Sequence, residues 1–239
     1  MSRAVVTYCG NSGFLLEAED DLLIFDYIAD PTGCGFNMRE TFKRAKHVLV
    51  FVSHGHDDHY QTAILQWADW AESVQYIVSN DIACIPPSIG AHRAAKGERF
   101  SISGWDIHCF GSTDIGVSFD VRKNGRRFFH AGDLNDWHWV TEADAEWTKK
   151  QAVDYHAIIA QIPREPRMDV AFFPVDPAMQ IDYYRGARAF VQKFRPRHFV
   201  PMHFRTRFLP PDEFWTDMNG FTDVEPMDQL GSQTDMDDE

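Results

Sequence analysis

Val48-Leu49-Val50-Phe51-Val52-Ser53-His54-Gly55-His56-Asp57-Asp58-His59 is the stretch on which the reading of this chain turns. Its first five residues, preceded by His47, form an almost wholly apolar run of strand length. Such runs belong to strands covered on both faces. His54, His56, Asp58 and His59 then put three imidazoles and a carboxylate within six residues. Neutral imidazole and carboxylate are the groups that zinc and other divalent first-row ions bind. Alternate residues of an extended loop point the same way, so His54 and His56 can serve one position. Asp58 and His59, after the chain turns, can serve a second. Asp57 reads as a solvated member of the loop. The apolar spacing of Ile64, Leu65, Ala68 and Ala71 predicts a helix over 60–72. Strand, polar loop and helix place the cluster at the carboxyl end of a strand, where α/β sheets collect their sites.

Outward from this stretch, the same alternation of strand and turn continues. Val5–Cys9, Phe14–Ala18 and Leu22–Asp26 read as strands separated by Gly10-Asn11-Ser12-Gly13 and Glu19-Asp20-Asp21. A short helix is expected over 39–46. Asn124-Gly125 between Val117–Val121 and Arg127–His130 is a hairpin signal. Residues 142–162 predict a long helix with Val153, Tyr155, Ile158, Ile159 and Ile162 near a 3.6 period, and 180–194 a second. Val170–Val175 and His198–Met202 are further buried strands. No internal repeat or domain boundary is visible.

The chain has 239 residues and a formal charge of −13, with 44% hydrophobic and 25% charged residues. That composition excludes disorder, collagen and coiled coil as the organising principle. No apolar run approaches the ~18 residues that a membrane span needs. Met1–Val6 runs into strand-like sequence without the apolar core of an export signal, which predicts a cytoplasmic protein. Its four widely spaced cysteines, Cys9, Cys34, Cys84 and Cys109, are then reduced thiols. Residues 217–239 hold eight Asp and Glu with no Lys or Arg, so only −5 falls on residues 1–216. The expected organisation is one domain over 1–216 and an acidic, solvated tail over 217–239. The charge and the lack of a basic stripe argue against nucleic acid as a partner. A small-molecule substrate is expected, and a homo-oligomer is compatible with the sequence.

The His54-x-His56-x-Asp58-His59 loop, Ala131-Gly132-Asp133 after a strand, and Val200-Pro201-Met202-His203 after another occur in the order of the metallo-β-lactamase superfamily. Thr7–Phe14 and Leu23–Asp26 are similar to that family as well, and the resemblance covers about residues 4–205. It is closest to the branch of ascorbate-6-phosphate lactonase-like metal-dependent hydrolases. The resemblance implies a four-layer αββα sandwich built from two mixed sheets. It implies one or two divalent ions, with zinc the first choice and manganese, iron or nickel as alternatives. His54 and His56 would bind a first ion, Asp58, His59 and His203 a second, and Asp133 would bridge them. A bound hydroxide would attack a lactone or phosphate ester, and Asp58 would orient that nucleophile or accept its proton. The alternative reading is a metal-binding or sensing protein on the same fold.

The chain departs from the pattern in one place that matters. The family's third histidine for the first ion should fall before the hairpin, where this chain reads Phe110-Gly111-Ser112-Thr113-Asp114-Ile115-Gly116. Asp114 could fill in, or His108 or His138 could reach over. Asn11 stands where the lactonase-like branch often carries a histidine. His130, at the end of a hairpin arm, reads as a supporting or core residue. Asp176 ends a buried strand and could face the site or serve as a turn residue before Pro177. Arg205 could clamp an anionic substrate.

Overall fold

The computed structural model describes residues 3–31, 37–71, 73–139, 144–204 and 210–237. In chain order the first elements are β1 (Val5–Tyr8), β2 (Phe14–Ala18), β3 (Asp21–Phe25), α1 (Met38–Arg44), β4 (Val48–Val52), β5 (Val74–Ser79) and β6 (His92–Ala94). Then come β7 (Arg99–Ile102), β8 (Trp105–Gly111), β9 (Val117–Lys123), β10 (Arg126–His130), α2 (Ala145–Gln161) and β11 (Val170–Pro174). The last are α3 (Arg185–Phe194), β12 (His198–Met202), α4 (Asp212–Met218), β13 (Asp223–Val224) and β14 (Gln233–Asp235). No helix of the described residues is long and apolar enough to cross a membrane.

These elements divide into two compact units, one of residues 1–95 with 227–239 and one of residues 96–226. Each unit contains a seven-stranded mixed sheet. The first has the order β14-β1-β2-β3-β4-β5-β6, antiparallel from β14 to β3 and parallel from β3 to β6. The second has the order β13-β12-β11-β10-β9-β8-β7, parallel from β13 to β10 and antiparallel from β10 to β7. The class is thus α/β with two mixed sheets, as the resemblance implies.

Every residue of β3, β4, β11 and β12 is buried, which is what their unbroken apolar runs predict. In the first unit Leu22, Ile24, Val48, Val50 and Val52 form one core with Met38 and Phe42 of α1 and with Ile64 and Trp67. Fully burying each such side chain stabilises the fold by roughly 1.5–3 kcal/mol. In the second unit Phe190 of α3 packs against Phe129 of β10 and Phe173 of β11, with ring centroids 5.1 and 4.6 Å apart.

Four expectations need correction. The helix over 60–72 is a 3₁₀ run, Thr62–Asp69, with i→i+3 bonds at both ends (Ile64 N–H to Gln61 C=O, Trp70 N–H to Trp67 C=O). Only Ile64 and Trp67, three residues apart, are buried on it, and the three-residue turn puts both on one face. The helix over 180–194 begins at Arg185, and a 3₁₀ segment, Pro177–Asp182, precedes it. Val153, read as an apolar face residue of α2, is 60% exposed, because α2 buries only Tyr155, Ile158 and Ile159. The acidic tail is not a solvated end. Its residues form part of α4 and strands β13 and β14, with Met227 and Met236 buried. Thr234 of β14 pairs with Val6 of β1, Arg3 binds Asp235 at 2.6 Å, and Met236 N–H donates to the Ala4 carbonyl. Backbone pairing and two buried methionines outweigh the charge repulsion that the composition emphasised.

Candidate metal centre

In the first unit the loop after β4 is organised by a carboxylate that sequence reasoning gave no role. Asp26, at the end of β3, is fully buried. It accepts the Ser53 N–H at 2.7 Å, the Ser53 hydroxyl at 2.6 Å and the His59 Nδ1–H at 2.8 Å. An ionised carboxylate only accepts, so His59 is left with Nε2 as its lone-pair nitrogen. The Ser53 hydroxyl proton is spent on Asp26, so its oxygen accepts from His54 Nδ1 at 3.0 Å. His54 therefore also presents Nε2. One buried aspartate thus sets the tautomer of two histidines, one directly and one through a serine, as outer partners of metal-binding imidazoles do. The neighbour that admits Asp26 is Gly13, where a Cβ would stand 2.8 Å from the Asp26 carbonyl.

His54 Nε2 lies 3.1 Å from His56 Nδ1, and the His54 and His59 rings are 4.1 Å apart. With the lone pair on His54 Nε2, the contact is closed either by His56 in its Nδ1–H tautomer, donating to that nitrogen, or by a cation held between the two rings. His54 and His59 are buried, Asp58 is half-buried and His56 is exposed. Asp58 and His59 offer ligand atoms within 4.8 Å of each other. Asn11 donates its side-chain amide to the Asp58 carboxylate and carbonyl, each at 3.3 Å. Asp57 is exposed, as expected.

The second unit gathers Asp114, Asp133, Asp176 and His203 from the ends of β8, β10, β11 and β12. His203 lies between two carboxylates, with Nδ1 3.0 Å from Asp176 Oδ2 and Nε2 3.4 Å from Asp133 Oδ1. Burial opposes charge on this ring, yet Asp133 and Asp176 outweigh it and push its pKa up to about 10. Asp176 therefore faces the site while its other oxygen caps the 3₁₀ segment through Ala178 N–H at 2.8 Å. Trp137 donates its indole N–H to the Asp133 carbonyl at 3.1 Å and packs its ring 5.2 Å from His203. Asp114 and Asp133 bring carboxylate oxygens within 4.8 Å of each other. Asn11, Asp26 and His203 all have positive φ (45°, 40° and 69°). That conformation costs an L-residue about 1–2 kcal/mol, and such costs concentrate where side-chain direction matters.

Other candidates lie elsewhere. His130 is buried, accepts the Gly132 N–H at 3.2 Å and packs with its ring centroid 5.8 Å from that of Phe172. His138 pairs with Asp182 at 2.7 Å. His108 packs its ring 3.8 Å from Phe110, and burial together with Arg99 lowers its pKa. Arg205 lies outside the described residues, as does Cys34. Cys9, Cys84 and Cys109 are unbridged.

The fold has solved counterparts. Igni18, a metallo hydrolase from the archaeon Ignicoccus hospitalis, matches with a TM-score of 0.70 at 20% identity, over 99% of this chain and 100% of that one. YhfI of Bacillus subtilis, a metallo-β-lactamase fold protein, matches with a TM-score of 0.65 at 12% identity, over 98% of this chain and 100% of that one. The chain therefore has the metallo-β-lactamase fold. In sequence it is similar to the UPF0173 metal-dependent hydrolase of Pyrococcus furiosus, at 24% identity over 213 residues, 84% of each chain. No protein-family model matches the chain.

Proposed function

We propose that this chain is a metal-dependent hydrolase of a small, anionic substrate, a lactone or a phosphate ester. The observation that carries the reading is the pair of His54 and His56 ring nitrogens, 3.1 Å apart on a loop whose tautomers Asp26 controls. The similarity to a metal-dependent hydrolase supports it. The proposed ligands are His54, His56, Asp58, His59, Asp133 and His203, with zinc as the first-choice ion. A divalent cation supplies a lowered pKa for its water and charge to offset a developing oxyanion. Asp26 and Asp176 hold His59 and His203 by Nδ1, so each offers Nε2. Asp58, steadied by the Asn11 amide, is the group that orients the nucleophile or takes its proton. Placement beside the ascorbate-6-phosphate lactonase-like branch and residence in the cytoplasm belong to the same proposal. The test is metal analysis of purified protein, followed by ester, lactone and phosphodiester panels before and after chelation. Turnover that chelation abolishes and added zinc or manganese restores is expected. Bound ion without turnover in any metal would favour the metal-binding, non-hydrolytic alternative, and no bound ion would end both.

A further inference from the structure

We infer that the second unit binds a phosphorylated small molecule in a basic cavity at the end of its sheet remote from Asp133, Asp176 and His203. The inference goes beyond the hydrolase reading and does not depend on it. Strands β10 to β13 are parallel, and Asp133, Asp176 and His203 follow the carboxyl ends of β10, β11 and β12. The cavity lies at the opposite ends. It is lined by residues 164–167 ahead of β11, 193–195 ahead of β12 and Gly220 with Phe221 ahead of β13, and its volume is about 400 Å³. That volume is in the range of small-ligand sites. The five residues of β11 separate the two ends by roughly 15 Å or more.

Arg164, Arg167, Lys193 and Arg195 line this cavity against one carboxylate, Glu165, a formal +3 within a chain of −13. Three of these cations are held by neutral groups. Arg167 donates to the Arg195 and Pro196 carbonyls at 2.6 and 3.2 Å, and Lys193 donates to the Ile159 carbonyl at 2.6 Å. The Arg195 guanidinium stands 4.9 Å from the Phe221 ring centroid. Their positions are therefore fixed without their charge being cancelled. The carboxyl ends of α2 and α3 supply about half a negative charge each, which leaves most of the +3 in place. Burial and the nearby Arg164 lower the Lys193 pKa, as expected where like charges are held together. Arginine forks and a lysine point charge are the groups that bind phosphate oxygens. The excess charge suits a ligand with two or more phosphate charges. A cavity of this size, rather than an extended stripe, suits a free molecule and not a nucleic-acid backbone or a lipid surface.

The probe is inorganic pyrophosphate, titrated calorimetrically into the full chain at low salt, before and after chelation. The wild type is compared with the double variant Arg164→Gln, Lys193→Gln and with Glu165→Gln. Denaturation midpoints without pyrophosphate serve as the folding control, and Arg164→Gln alone, at an exposed position, stands in if the double variant does not fold. The expected result is one pyrophosphate per chain with and without chelator, bound more weakly as sodium chloride is added. Binding should weaken at least tenfold in the double variant and at least threefold in Arg164→Gln. It should tighten at least twofold in Glu165→Gln, a gain that a merely structural role for this cluster would not produce. No saturable uptake, uptake that chelation abolishes, or uptake unchanged in the double variant would overturn the inference and leave the hydrolase reading standing. Binding to phosphatidylglycerol vesicles or single-stranded RNA without binding of pyrophosphate would overturn it as well.

Discussion

In the first unit the chemistry-bearing side chains come from one short loop, residues 54–59, at the end of β4. In the second they come from four separate strand ends between residues 114 and 203. Both units use a buried aspartate at a strand end to hold a histidine by Nδ1, Asp26 for His59 and Asp176 for His203. They differ in what that aspartate carries. Asp26 also fixes Ser53 and through it His54, whereas Asp176 shares its histidine with Asp133. The imidazole-rich half is organised from behind by one carboxylate. The acid-rich half is organised by charge on both sides of one ring.

The comparison can be broken hardest at Asp26. Asp26→Ala should cost about 3 kcal/mol or more, because it strands a buried N–H, a hydroxyl and an imidazole N–H together. Urea denaturation and metal content should both fall. If neither moves, the first unit is not built around that carboxylate. Gly186→Ala is the corresponding insult to the second unit. Its Cβ would stand 2.0 Å from Asn135 Oδ1 and 2.7 Å from Asp136 N, so α3 and the loop after Asp133 must separate. We expect a loss of about 1–3 kcal/mol by the same measurement.

Asp176→Asn should weaken ion binding by roughly 10–100-fold, the usual effect of removing an outer partner of a ligating histidine. Equilibrium dialysis against zinc would show it, and unchanged affinity would separate Asp176 from the site. The same pair predicts a pH signature in chelated protein. His203 has a folded pKa near 10 against an unfolded value of about 6.5. Its protonated ring therefore contributes fully below about pH 6.5, and that contribution is lost as pH rises toward 10. Denaturation midpoints of chelated protein should decline across that window, and less steeply in Asp176→Asn. The smallest effect belongs to Asp57→Ala. The exposed side chain has no part in the Gln61 contact, which uses the Asp57 carbonyl. Stability should stay within about 0.5 kcal/mol and ion uptake should not change.

Legibility followed the distance along the chain over which each feature is encoded. The buried strand β4 and the loop after it were readable because both lie in one unbroken stretch, residues 48–59. Asp133 and His203 were visible only through the family order of motifs, since each alone is an aspartate or a histidine after a strand. Asp26 carried no signal beyond its place at the end of an apolar strand, and Asp176 read equally well as a turn residue. The pairing of the tail is hidden from charge counting, which sees Asp223, Asp228 and Asp235 but not the β1 edge against which β14 pairs.

The sequence by itself determined the donor types, the apolar strands that carry them and the absence of a third histidine before the hairpin. These are properties of composition and short-range spacing. The tertiary structure alone decided that Asp26 governs two tautomers, that His203 lies between Asp133 and Asp176, and that Thr113 ties Asp114 to the Asp133 loop. Each of these depends on strand order and register, which join residues far apart in the chain. No local pattern can specify them, because hydrogen-bond partners are chosen only once the sheets have formed.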